Sequence, residues 1–371
     1  MRMPHVGFYV HYHGRGHKHR TEAILEHLTV MATVVTSRSG GLQWSGPTLG
    51  EVIDLPCDND GLNEDGLRAA SNVPALHFAP LWSDNVASRV ANYTAWLADK
   101  RPDVMVVDVS AEISMLTRLS GVPQVVMRQH GDRNDAAHAS AYAAAHSLLA
   151  PFPKMMEDER TPPWVRNKTV YLNGFCRSTN EVDVAPRASC EPLARSTKDI
   201  VFLFGRGGDE EVHERLRRAA ELLPSHRLLV LGKEADTDRD RDPSNLHYLG
   251  WVDDVSTYTD NAEVVVTAAG HNSVMELGSR RRPFIAVAES RPFDEQVRKA
   301  EVLQREGLAI GLDRWPSDDA WPSLIVEAKQ INVTRWDEVF ANDGAQQAAK
   351  HINDVACWSL EQRRTPAEIS L

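Results

Sequence analysis

The segment Thr267-Ala-Ala-Gly-His-Asn-Ser-Val-Met-Glu276 combines residue types suited to holding a phosphate. The run Ala262–Val266 leads into it as a strand, Gly270 allows a tight turn, and Asn272 and Ser273 open a helix. Backbone N–H groups at a helix start lack intrahelical partners, and the helix dipole favours an anion there. Glu276 follows Asn272 by four residues, so both side chains project from one face. A helix capped by Asn or Ser is the plainer alternative. Beyond it, Arg282-Pro-Phe-Ile-Ala-Val287 reads as a buried strand. Arg291-Pro-Phe-Asp-Glu-Gln296 then stands at the start of another helix.

Three further constellations bear on chemistry. His13-Gly-Arg-Gly-His17 follows the strand-like Val6–Val10, and its glycines let backbone approach a ligand closely. It is nearly the Gly-x-Gly-x-x-Gly of dinucleotide folds, but His19 replaces the third glycine. Thr36-Ser-Arg38 replaces the acidic residue a nicotinamide site wants, which leaves only an NADP variant. Phe202-Leu-Phe-Gly-Arg-Gly-Gly208 offers the N–H groups of a glycine-rich turn at Gly205 and Gly207, with Arg206 to pair with a diphosphate; a simple turn is the alternative. Asp108 ends the run Val104-Met-Val-Val-Asp108, where a carboxylate either faces a ligand crevice or caps the helix from Ser110.

The succession from Thr267 to Gln296 resembles the donor-binding motif of UDP-sugar-dependent glycosyltransferases of the GT-B fold, an α/β architecture of two Rossmann-like domains facing a central cleft. Relatives of this type include plant UDP-glycosyltransferases, macrolide-tailoring glycosyltransferases and the lipid II N-acetylglucosaminyltransferase. The resemblance implies that Gly270, Asn272 and Ser273 hold the pyrophosphate, Glu276 the ribose hydroxyls, and Glu295 with Gln296 the sugar. Where the plant pattern has a histidine four residues before the asparagine, this chain has Ala268, with His271 as the available substitute. Gly205, Arg206 and Gly207 fall on the loop that contacts the diphosphate. Leu249-Gly-Trp-Val252 resembles the loop that holds the nucleobase, with Val252 giving main-chain contacts and Trp251 either stacking on the ring or packing in the core. Gly16-His17 matches a Gly-His pair whose histidine is the general base, although a surface histidine in a His-rich loop is the alternative. Asp108 matches the carboxylate that orients that base, with Glu112 one turn on as its substitute.

The implied activity is inverting transfer of a sugar from a UDP-sugar to an acceptor hydroxyl. The nucleotide sugar is then a co-substrate, and neither cofactor nor metal is required. Rival readings are a sugar-nucleotide 2-epimerase of the same fold, an NADP-dependent oxidoreductase, and a non-catalytic donor-binding subunit. Around the base, Arg15, Lys18 and Arg20 place cations at a helix start, against the dipole, in a chain of net charge −11. An anionic acceptor, such as a lipid diphosphate or a phosphate-bearing polymer, gives that placement a reason; a neutral small molecule is the other option. Cell-wall or natural-product glycosylation covers both.

The elements that must position these residues alternate strand and helix twice, which implies parallel sheets covered on both faces. Strands are expected at Val6–Val10, Ala32–Thr36, Glu51–Leu55, Asp103–Asp108, Pro123–Met127 and Lys168–Leu172, with helices at His17–Leu28, Asp84–Lys100 and Ser110–Ser120. A second series of strands is expected at Asp199–Phe204, Arg227–Leu231, Leu246–Leu249, Glu263–Thr267 and Pro283–Val287. The reading gives an acceptor domain over 1–174, a donor domain over 175–333 and helices over 334–371 that cross back to the first domain. The 371 residues, 42% hydrophobic and 25% charged, suit a globular enzyme. No apolar run is long enough to span a bilayer. The acidic balance argues against a nucleic-acid partner. Four scattered cysteines without metal spacing fit a reducing cytoplasm, with a peripheral place at the inner membrane face as an option. Asp236-Thr-Asp-Arg-Asp-Arg-Asp242 reads as a solvated loop, because it lacks the glycine and distal glutamate of a calcium loop.

Overall fold

The computed structural model describes residues 2–12, 15–176, 198–205, 212–235, 239–252 and 254–364. The chain forms two compact units, one of Met1–Lys154, Glu159–Arg177 and Asn342–Leu371, the other of Met155–Asp158 and Ser178–Ala341.

The first unit runs β1 (His5–Tyr9), α1 (Gly16–Leu25), β2 (Met31–Thr36), β3 (Leu49–Asp54), α2 (Glu64–Ala69), α3 (Asp84–Lys100), β4 (Val104–Asp108), α4 (Ala111–Leu119), β5 (Gln124–Met127), α5 (Ala136–Ala144), β6 (Ser147–Ala150), α6 (Pro163–Lys168) and β7 (Thr169–Tyr171). Its sheet has the order β3-β2-β1-β4-β5-β6-β7, and every pairing is parallel. Successive strand residues face opposite sides. Val6, Phe8 and Val104, Val106 pack on one face with Ile24 and Leu25, while Tyr9, Met105 and Val107 pack on the other with Tyr93 and Trp96. Strands buried on both faces read as continuous apolar runs, which is why they were legible.

The second unit runs β8 (Asp199–Leu203), α7 (Val212–Leu222), β9 (Arg227–Leu231), β10 (Leu246–Gly250), α8 (Ser256–Thr259), β11 (Val264–Ala268), α9 (His271–Ser279), β12 (Phe284–Val287), α10 (Glu295–Arg305), β13 (Ile310–Leu312), α11 (Trp321–Lys329) and α12 (Trp336–Val339). Its parallel sheet has the order β10-β9-β8-β11-β12-β13. In each sheet the order reverses beside the first strand, between β1 and β4 and between β8 and β11. Such switch points leave a crevice at the carboxyl ends of the strands.

The tail is not one helix from Thr334. It breaks after α12 and restarts as α13 (Gly344–Arg364), where Asp343 Oδ1 accepts the N–H groups of Ala345 and Gln346. Helix α12 stays with the second unit, its Trp336 buried beneath Gly278, whereas α13 joins the first. Gly344 is required there, since a Cβ would lie 2.0 Å from the Asn173 carbonyl oxygen. Gln347 pairs with Asn173 through both its amide oxygen and nitrogen, and Ala348, Ile352 and Ala356 enter the core beside α1. The sequence reading missed α2, α5, α6, α8, α11, β6 and β13. Helix α5 is alanine-rich without a polar stripe, and the two strands are three or four residues long, so periodicity had nothing to act on.

Candidate functional site

In the first unit, the functional side chains come from the two strands flanking the switch point. Strands β1 and β4 pair in parallel, with Tyr9 opposite Val107, so the chain leaving β1 and the end of β4 emerge side by side. Asp108 does not cap the next helix; Ser110 does, its Oγ accepting the Ile113 N–H at 3.2 Å. Val109 between them has φ 58°, a left-handed conformation unusual for a β-branched residue. Asp108 is therefore free for other partners, and it is 3% exposed. His17 Nδ1 lies 2.9 Å from Asp108 Oδ2. Arg20 Nη2 lies 2.6 Å from Oδ1 and 2.8 Å from Oδ2 of the same carboxylate, and 3.0 Å from His17 Nδ1.

Burial by itself raises the Asp108 carboxyl, but the Arg20 guanidinium and His17 outweigh it and hold it well below the usual carboxylate range. An ionised carboxylate only accepts, so in the tautomer with its hydrogen on Nδ1 His17 donates to Asp108, and the Arg20 guanidinium then pairs with the carboxylate and not with that nitrogen. The neutral ring then carries its lone pair on Nε2, the state a general base needs. Glu112, the substitute orienter, is committed elsewhere: its Oε1 accepts the N–H groups of His77 and Phe78, and its Oε2 the Ser110 hydroxyl.

Two acceptor-side expectations are corrected. Arg20 is buried and spent on Asp108, and Lys18 Nζ donates to both oxygens of Glu22, at 2.7 and 2.6 Å, one helical turn away. Neither is a free cation awaiting an anionic acceptor. The dipole cost of basic residues at this helix start is offset by internal carboxylates. Gly16 is the first residue of α1, and Arg15 at its N-cap is exposed. His13 and Gly14 lie outside the described residues.

In the second unit, β11 ends at Ala268 and α9 begins at His271. The N-cap is Gly270, with φ −67° and ψ 145°, and no side chain caps the helix. Asn272 and Ser273 thus lie inside the first turn rather than at the cap. The Gly270 backbone is ordinary for any residue, and a Cβ there would have no atom within 4 Å. The same open space surrounds Gly205 after β8. Neither glycine is demanded by conformation or by packing, and both face open space. Asn272 is exposed; Ser273 and Glu276 are half-buried. Arg206 and Gly207 lie outside the described residues. Trp251 is 46% exposed, which excludes the core-packing alternative, and Val252 follows it outside any helix or strand.

The segment before α10 turns through Phe293 at φ 62° and Asp294 at φ 52°, two consecutive left-handed residues that are not glycine. Such conformations persist where the surroundings over-determine them. Gln296 is 6% exposed, and its Oε1 accepts the Glu289 N–H at 2.8 Å. Its carbonyl oxygen therefore braces the 289–296 strap instead of being open to a sugar, which corrects the expectation for that atom. Glu295, the first residue of α10, is half-buried beside it. A cavity of about 440 Å³ opens at the carboxyl ends of β8, β11 and β12, lined by Phe204, Thr267, Ala268, Glu289, Arg291 and Trp315 among others. It adjoins the donor motif without containing Asn272, Ser273 or Glu276. No sequence signal pointed to Trp315 or Phe204 as lining residues. Arg20 in the buried pair was legible only as a cation three residues after His17.

Residues 189–319 match the glycosyltransferase family 28 C-terminal domain. No curated protein matches the chain. Among solved structures, the chain is similar to the glycotransferase of kitacinnamycin, with a TM-score of 0.68 and 16% identity over 96% of this chain and 100% of that one. It is also similar to UGT89C1 of Arabidopsis thaliana, solved with UDP, with a TM-score of 0.64 and 14% identity over 96% and 99% of the two chains. MurG of Acinetobacter baumannii gives a TM-score of 0.60 and 14% identity over 96% and 100%. Each unit is a parallel-sheet α/β domain, the chain has the GT-B fold of these solved glycosyltransferases, and residues 189–319 carry the match to the glycosyltransferase family 28 C-terminal domain.

Proposed function

We propose that this chain transfers a sugar from a UDP-sugar to an acceptor hydroxyl with inversion, His17 acting as the general base. The observation that carries the reading is the 2.9 Å contact of His17 Nδ1 with the ionised Asp108. A hydroxyl is a weak nucleophile until a base takes its proton. His17 Nε2 accepts that proton as the oxygen attacks the anomeric carbon. The bond to the diphosphate oxygen breaks in the same displacement, and the configuration inverts. Asp108 stabilises the imidazolium that forms, and Arg20 keeps Asp108 ionised throughout.

The leaving diphosphate carries the electron pair away and needs positive potential. The uncapped start of α9 offers the N–H groups of the first turn and the dipole, with His271, Asn272 and Ser273 beside them. Open space at Gly205 and Gly270 permits close approach of a phosphate to backbone. Glu276, on the face of Asn272, accepts from the ribose hydroxyls, and exposed Trp251 offers a ring for the base, with Val252 for main-chain contacts. Glu295 remains the carboxylate for the sugar. The protein groups suffice for the diphosphate in this reading, and no metal is invoked there. UDP is the nucleotide that the donor motif's resemblance implies; the neighbours hold either, the plant enzyme having been solved with UDP and a spinosyn rhamnosyltransferase with thymidine diphosphate. Since Lys18 and Arg20 are internally paired, a neutral small-molecule acceptor is favoured over an anionic one. Among the described residues no helix is long and apolar enough to cross a membrane.

A panel of nucleotide sugars scored by thermal shift identifies the donor; at 100-fold its dissociation constant a ligand adds about 2.7 kcal/mol. With that donor, His17→Ala should lower kcat by roughly 10²–10⁴-fold and leave donor affinity near wild type. Wild-type turnover in the variant ends the proposal, as does epimerisation of the donor sugar without any acceptor.

A further inference from the structure

Away from the His17–Asp108 pair, the first unit gathers a second set of polar side chains that the transfer chemistry does not use. His77 lies in the connection between α2 and α3. Asp135 and His138 stand at the N-cap and third residue of α5. His77 Nε2 is 2.9 Å from Asp135 Oδ1, and His138 Nδ1 is 2.5 Å from Asp135 Oδ2. The three ligand atoms lie within 4.8 Å of one another. All three side chains are partly covered, with 25%, 34% and 11% exposure for His77, Asp135 and His138. Beside the two imidazoles, though not against Asp135, there is a cavity of about 20 Å³, lined by His77, Ser110, Gln129, Arg133 and His138 among others. That is room for one ion or one water.

We propose that His77, Asp135 and His138 form a binding site for one first-row divalent cation, with zinc the best fit to two imidazole nitrogens and one carboxylate oxygen. In a tetrahedral site with metal–ligand bonds of about 2.0–2.1 Å, donor atoms stand about 3.3 Å apart. The two present contacts are made to different oxygens of Asp135, so one carboxylate oxygen must serve both rings, and the three ligand atoms, within 4.8 Å of one another, reach that spacing by side-chain rotation. The ligands are also held from behind. Asp135 Oδ1 accepts the His138 N–H at 3.0 Å, and Glu112 Oε1 accepts the His77 N–H at 2.6 Å. These backbone contacts hold the Asp135 carboxylate and the chain at His77 in place, without orienting either imidazole ring.

Protons balance without an outside acceptor. Without the ion, both rings donate to Asp135, through Nε2–H of His77 and Nδ1–H of His138. When those nitrogens bind the cation, each neutral ring carries its proton on its other nitrogen. For His138 that is Nε2, where Arg133 Nη1 now stands at 3.0 Å. Arg133 must then withdraw, so it opposes the ion both as a like charge and as a competing donor. Three protein ligands leave a coordination position for water or for an oxygen of a substrate. The site ties the 77 connection to the start of α5; that these segments surround the acceptor rests on the proposed function, but binding of the ion does not.

The test uses the full chain, free of any histidine tag, titrated with zinc and with cobalt(II) in the absence of donor and acceptor. A single equivalent is expected, with the d–d absorption of a nitrogen- and oxygen-bound tetrahedral cobalt ion and no thiolate charge-transfer band. His138→Ala and His77→Gln should abolish it. Asp135→Asn, which keeps the helix cap, should weaken it by more than the roughly 10–100-fold that a supporting residue costs. Arg133→Gln should bind more tightly than the parent. His77→Gln leaves α5 intact, so it reports on the site even if His138→Ala fails to fold. Absence of saturable binding, undiminished binding in His77→Gln, or a thiolate band placing the ion on cysteine overturns the assignment. Because no sugar is present, failure here leaves glycosyl transfer untouched, and loss of transfer in His17→Ala leaves this site untouched.

Discussion

Replacing Asp108 by asparagine separates what this carboxylate does for the fold from what it does for His17. Asp108 is buried and accepts one hydrogen bond from His17 and two from Arg20. Arg20 is itself 6% exposed, and its Nε has no hydrogen-bond partner. Removing one member of a buried ion pair costs about 3–5 kcal/mol. Asparagine retains one acceptor oxygen, so the loss should fall to about 2–4 kcal/mol. For a unit of this size each kcal/mol lowers the melting temperature by roughly 2–4 °C, which gives a fall of about 5–15 °C. The catalytic consequence is independent of that. Without an obligate acceptor, His17 is no longer confined to the tautomer with a free Nε2, and kcat should fall by roughly 10²–10⁴-fold.

The decisive assay is a cycle with His17→Ala, measuring kcat and thermal unfolding for both single variants and the pair. If Asp108 acts on turnover through His17, the second change lowers kcat little further, while the stability cost appears in either background. Multiplicative losses of kcat would refute the idea that the carboxylate works through the histidine. The pH dependence adds a check. A depressed native carboxyl contributes stability above its ordinary range near pH 4, and this is lost as pH falls through the native value. The parent should therefore lose stability in acid more steeply than Asp108→Asn does.

Two further outcomes follow from the second unit. Gly270→Ala should fold with stability within about 1 kcal/mol of the parent, because the backbone suits alanine and nothing lies within 4 Å. It should nevertheless weaken UDP by at least about tenfold, or 1.4 kcal/mol, in a titration unaffected by EDTA; unchanged affinity would remove the diphosphate from this turn. Gly278→Ala is the converse case: its Cβ would lie 2.3 Å from the Trp336 ring, which is 1% exposed. Overpacking should cost about 1–3 kcal/mol in melting experiments, with UDP binding at the parental level once folded.

Much of the molecule was readable along the chain because its signals are local. Asp84–Lys100 and Arg227–Leu231 appear with the limits that their spacing predicted. The glycine and small-residue turn at 267–273 does join a strand to a helix start. Alternating strand and helix patterns, each fixed by a few neighbouring residues, were enough to imply parallel sheets and to put His17 and Asp108 each after the carboxyl end of a strand; that β1 and β4 are neighbours came from the structure.

What the sequence by itself determined, then, is the type and order of the elements and the residue types offered at each strand end, because periodicity, caps and turns act over a few residues. Only the tertiary structure decided how charges were shared. Arg20 looked like a cation for an acceptor until β4 brought Asp108 against it, and Lys18 until Glu22 was seen to take it. The Gln296 carbonyl oxygen looked open to a sugar until the Glu289 N–H was seen to donate to it. His77, 58 residues from Asp135, carried no spacing signal at all. A polar side chain is satisfied by whichever partner the fold delivers within about 3 Å, and that choice depends on contacts far apart along the chain.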